Sequence, residues 1–215
     1  MTKKQKAKIV VERLNENYPT EIVCYLNYNK DYELLFATIL SAQCTDDRVN
    51  IVTKDLFEKY KSLEDYIDAP IEELEKDIKS TGFYKNKAKS LKESAFKLLT
   101  NFNGILPSEI EELITLSGVG RKTANVVRCH IFKIPSVVVD THVKRITNKL
   151  GLTTNTDPVK IEFDLMKILP KKSWIAYNHQ VIAHGRKICK APTPKCATCF
   201  FTDICTDYKK RNKID

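Results

Sequence analysis

Four of the chain's seven cysteines crowd into CKAPTPKCATCFFTDIC: Cys189, Cys196, Cys199 and Cys205, spaced C-x6-C-x2-C-x5-C. A tight group of thiols in a reducing compartment points to metal, and an odd total argues against a disulfide framework. Structural zinc prefers two close pairs, and a single C-x-x-C with flanking cysteines is awkward for it, so zinc and iron–sulfur both stand as readings of the spacing. Cys24, Cys44 and Cys129 are isolated and are expected in the core as small hydrophobes.

A second reactive stretch is LSGVGRKTANVV, residues 116–127. Gly118 and Gly120 permit a tight turn and close backbone approach. The helix expected after them begins with unpaired N–H groups and the positive end of its dipole, which together suit a phosphate. Arg121 and Lys122 stand beside the turn, and Thr123 and Ala124 are small, so nothing bulky bars a nucleic-acid backbone. An ordinary connection between packed helices would use the same glycines. Lys122 has two readings as well. The helix start and the arginine beside it favour the uncharged amine, a nucleophile able to form a Schiff base, whereas a phosphate-binding or solvated lysine needs no such chemistry. Asp140, in VVVDTHVKRI, ends an apolar run just before a helical pattern. It suits acid–base work, and it equally suits a helix N-cap contributing about 1 kcal/mol.

The elements that must position these groups read as helices. Val10, Val11 and Leu14 share one face, and Ala88, Leu91, Ala95, Leu98 and Leu99 recur every three or four residues. Ser108 with Glu111 predicts a capping box, and Asp157–Pro158 a second helix start. Gly82, Gly104 and Gly151 are expected to end helical stretches. SVVVD, residues 136–140, is the one strand-like run, expected as a lone extended segment. Lys and Arg number 36 against 27 Asp and Glu, a net charge of +9 that favours a polyanion or an acidic membrane surface. No apolar run approaches the roughly 18 to 20 residues of a membrane span, and the basic, amphipathic start does not read as a secretory signal. The expectation is a cytoplasmic protein of one body or two closely packed lobes, since no repeat or linker divides the chain.

LSGVGRKTANVV, VDTHVKRI, LSAQCTD at residues 40–46 and the cysteine spacing, in this order from about residue 32 to 208, resemble the endonuclease III family. The resemblance implies an all-α, two-lobed helix-hairpin-helix glycosylase fold. Residues 26–135 would form a six-helix lobe with the hairpin, and 1–25 plus 136–215 a lobe built on a 4Fe-4S cluster held by Cys189, Cys196, Cys199 and Cys205. Double-stranded DNA carrying damaged pyrimidines or abasic sites would be the partner, lying in a groove across which Lys122 and Asp140 face each other. The implied activity is removal of oxidised or ring-saturated pyrimidines, then strand cleavage by β-elimination, with Lys122 as amine nucleophile and Asp140 as acid–base group. The unit would be a monomer, nucleoid-associated if bacterial, with no membrane partner.

Such an enzyme extrudes the base it works on, and the gap in the stack is filled by side chains. The resemblance nominates Gln43, His142 and Phe83, with Ser41 and Asp46 ordering the turn at Gln43. An aliphatic residue is usual where this chain has Phe83, which either stacks as a wedge or packs into the core. Gly118, Gly120 and Arg121 would meet the phosphate backbone, as would Lys190 and Lys195 on a loop stiffened by Pro192 and Pro194. An adenine-removing branch of the same superfamily lacks the lysine and uses a glutamate in an early helix. LLFATILSAQ, residues 34–43, carries no acidic residue, which favours the pyrimidine branch. A zinc-based DNA-binding module and a ferredoxin-like electron carrier are the rivals from other classes; the second has no use for Lys122.

Overall fold

A computed structural model describes residues 1–21 and 24–214, and among them every regular element is a helix. In chain order these are α1 (Lys3–Asn17), α2 (Asp31–Leu40), α3 (Asp46–Lys59), α4 (Leu63–Asp68), α5 (Ile71–Asp77), α6 (Tyr84–Phe102), α7 (Ile110–Leu113), α8 (Arg121–His130), α9 (Thr141–Leu150), α10 (Pro158–Ile168), α11 (Trp174–Lys187) and α12 (Thr206–Asn212). Single 3-10 turns lie at Lys79–Thr81, Lys171–Ser173 and Cys196–Thr198. The chain divides into two compact units, Cys24–Ile134 and Met1–Val23 with Pro135–Asp215.

The unit Cys24–Ile134 holds six helices longer than one turn and the one-turn α7. Its centre is α2, whose Leu34, Leu35, Phe36, Ala37, Ile39 and Leu40 are all buried. Such side chains contribute about 1.5–3 kcal/mol each when removed from water. Glu33 makes this apolar helix start cleanly, because its Oε2 accepts from the backbone N–H of Asn29 at 2.7 Å and Lys30 at 3.1 Å. Helix α6 buries Ala88, Leu91, Ala95 and Leu98 and packs on α4 and α5. It ends where Asn103 and Gly104 turn left-handed at φ 51° and 76° and the Gly104 N–H donates to Leu98 O at 2.9 Å.

The expected capping box at Ser108 does not form. The helix starts one residue later than that motif needs, with Glu109 at its N-cap, and the Ser108 hydroxyl donates to Glu109 Oε1 at 3.3 Å instead. Glu111 therefore stands one position too early to reach back to the cap. The following bonds, Thr115 N–H to Glu112 O and Leu116 N–H to Leu113 O, tighten the chain into the hairpin after a single helical turn.

In the other unit, α1 opens with Thr2 and Gln5 capping each other reciprocally and buries Ala7, Val10, Val11 and Leu14. It packs on α10 and α11, while α9 packs on α11 and α12. Asp157 caps α10 by accepting from Lys160 N–H at 2.9 Å with Pro158 next in the chain, and Gly151 ends α9 at φ 74°, both as the sequence predicts. Residues 136–140 belong to no helix or strand. Val137, Val138 and Val139 are buried, and the Asn178 amide satisfies Val138 O at 2.9 Å.

Candidate functional site

The hairpin is fastened to α6 before it offers anything outward. Ser117 O accepts from the Ser94 hydroxyl at 2.9 Å, Ser117 Oγ donates to Glu93 Oε2 at 2.7 Å, and Lys97 reaches Thr115 O at 2.9 Å. Its two glycines have different reasons. Gly118 sits at φ 74°, and a Cβ there would meet Ser90 Cβ and Oγ at 2.9 Å, so the fold itself demands glycine. Gly120 has φ −91°, which any residue adopts, and a Cβ there would meet nothing within 4 Å. The fold itself therefore does not require glycine at this position. Gly120 is the N-cap of α8 with no side-chain hydrogen bond, so this helix start carries its dipole outward without a cap of its own. Lys122 is exposed in the first turn and Arg121 is half-buried beside it.

In the same unit, Gln43 and Phe83 stand on two turns with left-handed backbone, φ 54° and 48°, a conformation costing about 1–2 kcal/mol for residues other than glycine. Both side chains are exposed, Phe83 by 63% of its surface, which removes the core reading for Phe83. Ser41 orders its turn as expected, donating to Thr38 O at 2.9 Å, while Cys44 N–H returns to Ser41 O at 3.1 Å. Asp46 is the first residue of α3, whose cap is Thr45. Beneath both turns lies Lys87, 5% exposed, with its ammonium donating to Leu40 O and Thr81 O at 2.8 Å each. Burial holds its ammonium below the usual lysine range. Only its surroundings reveal it, because within YKNKAKS it looks like any helix-surface lysine. Cys129 is buried as expected, but Cys24 and Cys44 are half-buried at the rim, since both lie on loops flanking α2 rather than on its buried faces.

In the other unit Asp140 is the N-cap of α9, its Oδ1 accepting from Val143 N–H at 2.7 Å. The cap reading is therefore correct, and it engages one carboxylate oxygen of two. His142, half-buried, has its proton affinity lowered by burial, against the pull of Asp140. Its Nδ1 lies 3.3 Å from Arg145 Nη2, and a Cβ on Gly185 of α11 would strike that ring nitrogen, so Gly185 makes the room His142 occupies.

Cys189, Cys196, Cys199 and Cys205 line one pocket, together with Lys149, Pro194, Lys195 and Arg211. All four are free thiols. Arg145 donates to Cys189 O at 2.7 Å, and Arg211 Nη2 approaches Cys196 Sγ at 3.3 Å, so cations gather where thiolates would stand. Burial pushes the Cys199 thiol up to about 11 and raises that of Cys189, so a bound cation is what would hold them deprotonated. Buried His184, pushed down to about 4 by desolvation, places Nε2 3.7 Å from Cys199 Sγ while Nδ1 meets the Tyr18 hydroxyl at 3.1 Å. Among the described residues no three His, Cys, Asp or Glu side chains converge tightly enough for one metal ion. Lys190 and Lys195 are exposed, and their backbone N–H groups both donate to Ile188 O at 2.9 Å, which closes the loop between them. No helix among the described residues is long and apolar enough to cross a membrane.

A family profile described as HhH-GPD superfamily base excision DNA repair protein matches residues 36–171. The chain is 46% identical over 205 residues to an endonuclease III of Synechocystis sp., covering 95% of this chain and 93% of that protein. It is 43% identical over 204 residues to endonuclease III of Bacillus subtilis, covering 94% and 93% respectively. It superposes with a TM-score of 0.91 and 43% identity on a solved non-covalent endonuclease III–DNA complex, covering 99% of this chain and all of that one. A trapped covalent endonuclease III–DNA intermediate gives the same TM-score, identity and coverage.

Proposed function

The chain belongs to the endonuclease III family of the HhH-GPD base excision DNA repair superfamily, and from that membership we propose that it excises oxidised or ring-saturated pyrimidines from duplex DNA through Lys122. It is a bifunctional DNA glycosylase and abasic-site lyase. Family membership replaces the zinc-module and ferredoxin readings, which would leave the hairpin without a role. The presence of Lys122, and of no acidic residue in residues 34–43, supports the pyrimidine branch over the adenine-removing one.

The observation that carries this reading is the uncapped start of α8, where Gly120 leaves open space next to an exposed Lys122. A DNA phosphate takes the place a capping side chain would fill, with Gly118, Gly120 and Arg121 around it. Lys122 Nζ then attacks the sugar C1′, its lone pair forming the new C–N bond as the bond to the damaged base breaks. The aminosugar so formed opens at its C1′–O4′ bond, O4′ leaving with the bond pair and taking a proton, and the resulting iminium acidifies the C2′ proton. Loss of that proton expels the 3′ phosphate by β-elimination, and water releases the sugar remnant from Lys122. Asp140, with Oδ1 held by the α9 N–H, presents its other oxygen to carry protons and offset positive charge on the sugar. Gln43, Phe83 and His142 serve the extruded nucleotide and the gap it leaves.

The four thiols fit a 4Fe-4S cluster: they share one pocket, and Arg145, Lys149 and Arg211 beside them suit its negative charge. Bound by Cys189, Cys196, Cys199 and Cys205, it would supply cross-linking that fixes the loop of Lys190 and Lys195, two further phosphate contacts. Cytoplasmic action on DNA as a monomer completes the reading.

The test is incubation with duplexes carrying an oxidised pyrimidine, an abasic site or a mispaired adenine, with borohydride present. A covalent adduct with the first two and none with the third is expected. An adduct only with mispaired adenine, or with none, overturns the reading.

A further inference from the structure

We propose that Lys87 is a positioning residue for lesion recognition, whose buried ammonium ties together the two turns that present Gln43 and Phe83. The inference rests on the function proposed above, in which those two side chains fill the gap left by the extruded nucleotide.

Leu40 is the last residue of α2, where carbonyls have no partner within the helix and the dipole is negative. Lys87 satisfies that carbonyl at 2.8 Å, and three residues further on Gln43 turns left-handed. The second carbonyl, Thr81 O at 2.8 Å, directly precedes Gly82 and Phe83, at φ 73° and 48°. Lys87 also holds Phe83 through the main chain, its N–H donating to Phe83 O at 3.1 Å. One residue thus touches Phe83's turn twice and Gln43's turn once.

Packing alone does not account for a lysine here. The ammonium is buried, and among the described residues it has no carboxylate partner. An apolar chain of similar length would fill the space without the desolvation penalty. What the ammonium adds is a link between two carbonyls from different elements. Both served residues are exposed and held in a conformation that non-glycine residues leave when unfastened. Two side chains that must enter one gap in a base stack need a fixed separation, and a buried clamp below them sets it.

The experiment compares Lys87→Met and Lys87→Gln with the unaltered protein on three readouts. These are single-turnover excision from a duplex with one oxidised pyrimidine, β-elimination on a single-stranded oligonucleotide with one abasic site, and fluorescence of a 2-aminopurine opposite the duplex lesion. Only duplexes have a stack to refill. Lys87→Met is expected to slow duplex excision about tenfold or more and to blunt the fluorescence rise, with the single-strand rate within about twofold; Lys87→Gln, keeping one donor group, falls between. In a Gln43→Ala, Phe83→Ala background, Lys87→Met should add less than about twofold, because coupled residues do not act independently. Equal losses on both substrates mark a merely structural lysine and overturn the proposal, as does an unchanged duplex rate. If Lys87→Met does not fold, Lys87→Gln decides by the same ratio of duplex to single-strand rates. Failure of the family reading looks different, because the unaltered protein would then cut neither substrate.

Discussion

Helices α8 and α9 are each ten residues long and begin beside the two groups proposed to do the chemistry, yet their first turns are finished in opposite ways. Asp140 closes α9 with its own carboxylate, at 2.7 Å from Val143 N–H. Gly120 closes α8 with nothing. Helix-start N–H groups need acceptors in either case, and at α8 no N-cap side chain supplies one. Asp140 is held still by the helix it caps, whereas the bare start of α8 is where the proposed function seats a phosphate.

The largest expected effect comes from removing the amine that the open start presents. Lys122→Ala should lower abasic-site cleavage roughly 10³-fold or more and abolish borohydride trapping, while duplex affinity changes little because the backbone amides remain. Trapping at the parent level would break the assignment. At α9 the cap and the charge can be separated. Asparagine caps about as well as aspartate, so Asp140→Asn should keep thermal stability and DNA affinity yet slow base removal about 10²-fold. Asp140→Ala should do the same and also cost about 1 kcal/mol in denaturant unfolding. If Asp140→Asn is fully active, Asp140 is a cap alone.

The sequence and the structure part company at instructive places. Helix periodicity, the Asp157 start and the Gly104 and Gly151 stops were legible because each depends on residues within a turn of one another. The capping box at Ser108 was a local signal overridden by a shift of one residue, since a motif names its members without saying where the helix begins. Gly118 and Gly120 look alike in LSGVGRKT, and only the neighbours, Ser90 for one and open space for the other, separate them. Lys87 was illegible for the same reason: both its partners are backbone carbonyls, six and 47 positions away, and a carbonyl leaves no trace in residue identity. The pairing of Gly185 with His142 across α11 and α9 is likewise a fact of packing.

The two starts can also be made alike. Gly120→Asp would give α8 the cap that α9 has, at a φ of −91° and with no clash for its Cβ. Stability should rise by a few tenths of a kcal/mol, as a carboxylate replaces glycine at an N-cap. Affinity for abasic duplex should fall about tenfold or more, because the new carboxylate occupies the phosphate's place with the same charge. Gly118→Ala should behave oppositely, losing stability through its φ of 74° and the contact with Ser90. Should Gly120→Asp bind duplex as tightly as the parent, the open start of α8 is not where the phosphate sits.

The smallest effect concerns how each part of the surface attracts DNA. Amides at a helix start carry no net charge and release no counterions, whereas each lysine on a phosphate does. Replacing Lys190 and Lys195 by alanine should weaken binding only a few-fold at physiological salt but reduce the slope of log affinity against log salt by about two. Gly120→Ala should weaken binding at every salt concentration and leave that slope alone, because it obstructs an approach without removing a charge. The loop between the two lysines closes on Ile188 O and needs neither ammonium for its own hydrogen bonds. Cluster absorbance should therefore survive the double substitution, and a lost absorbance would mean that the lysines support the cysteine pocket rather than the DNA.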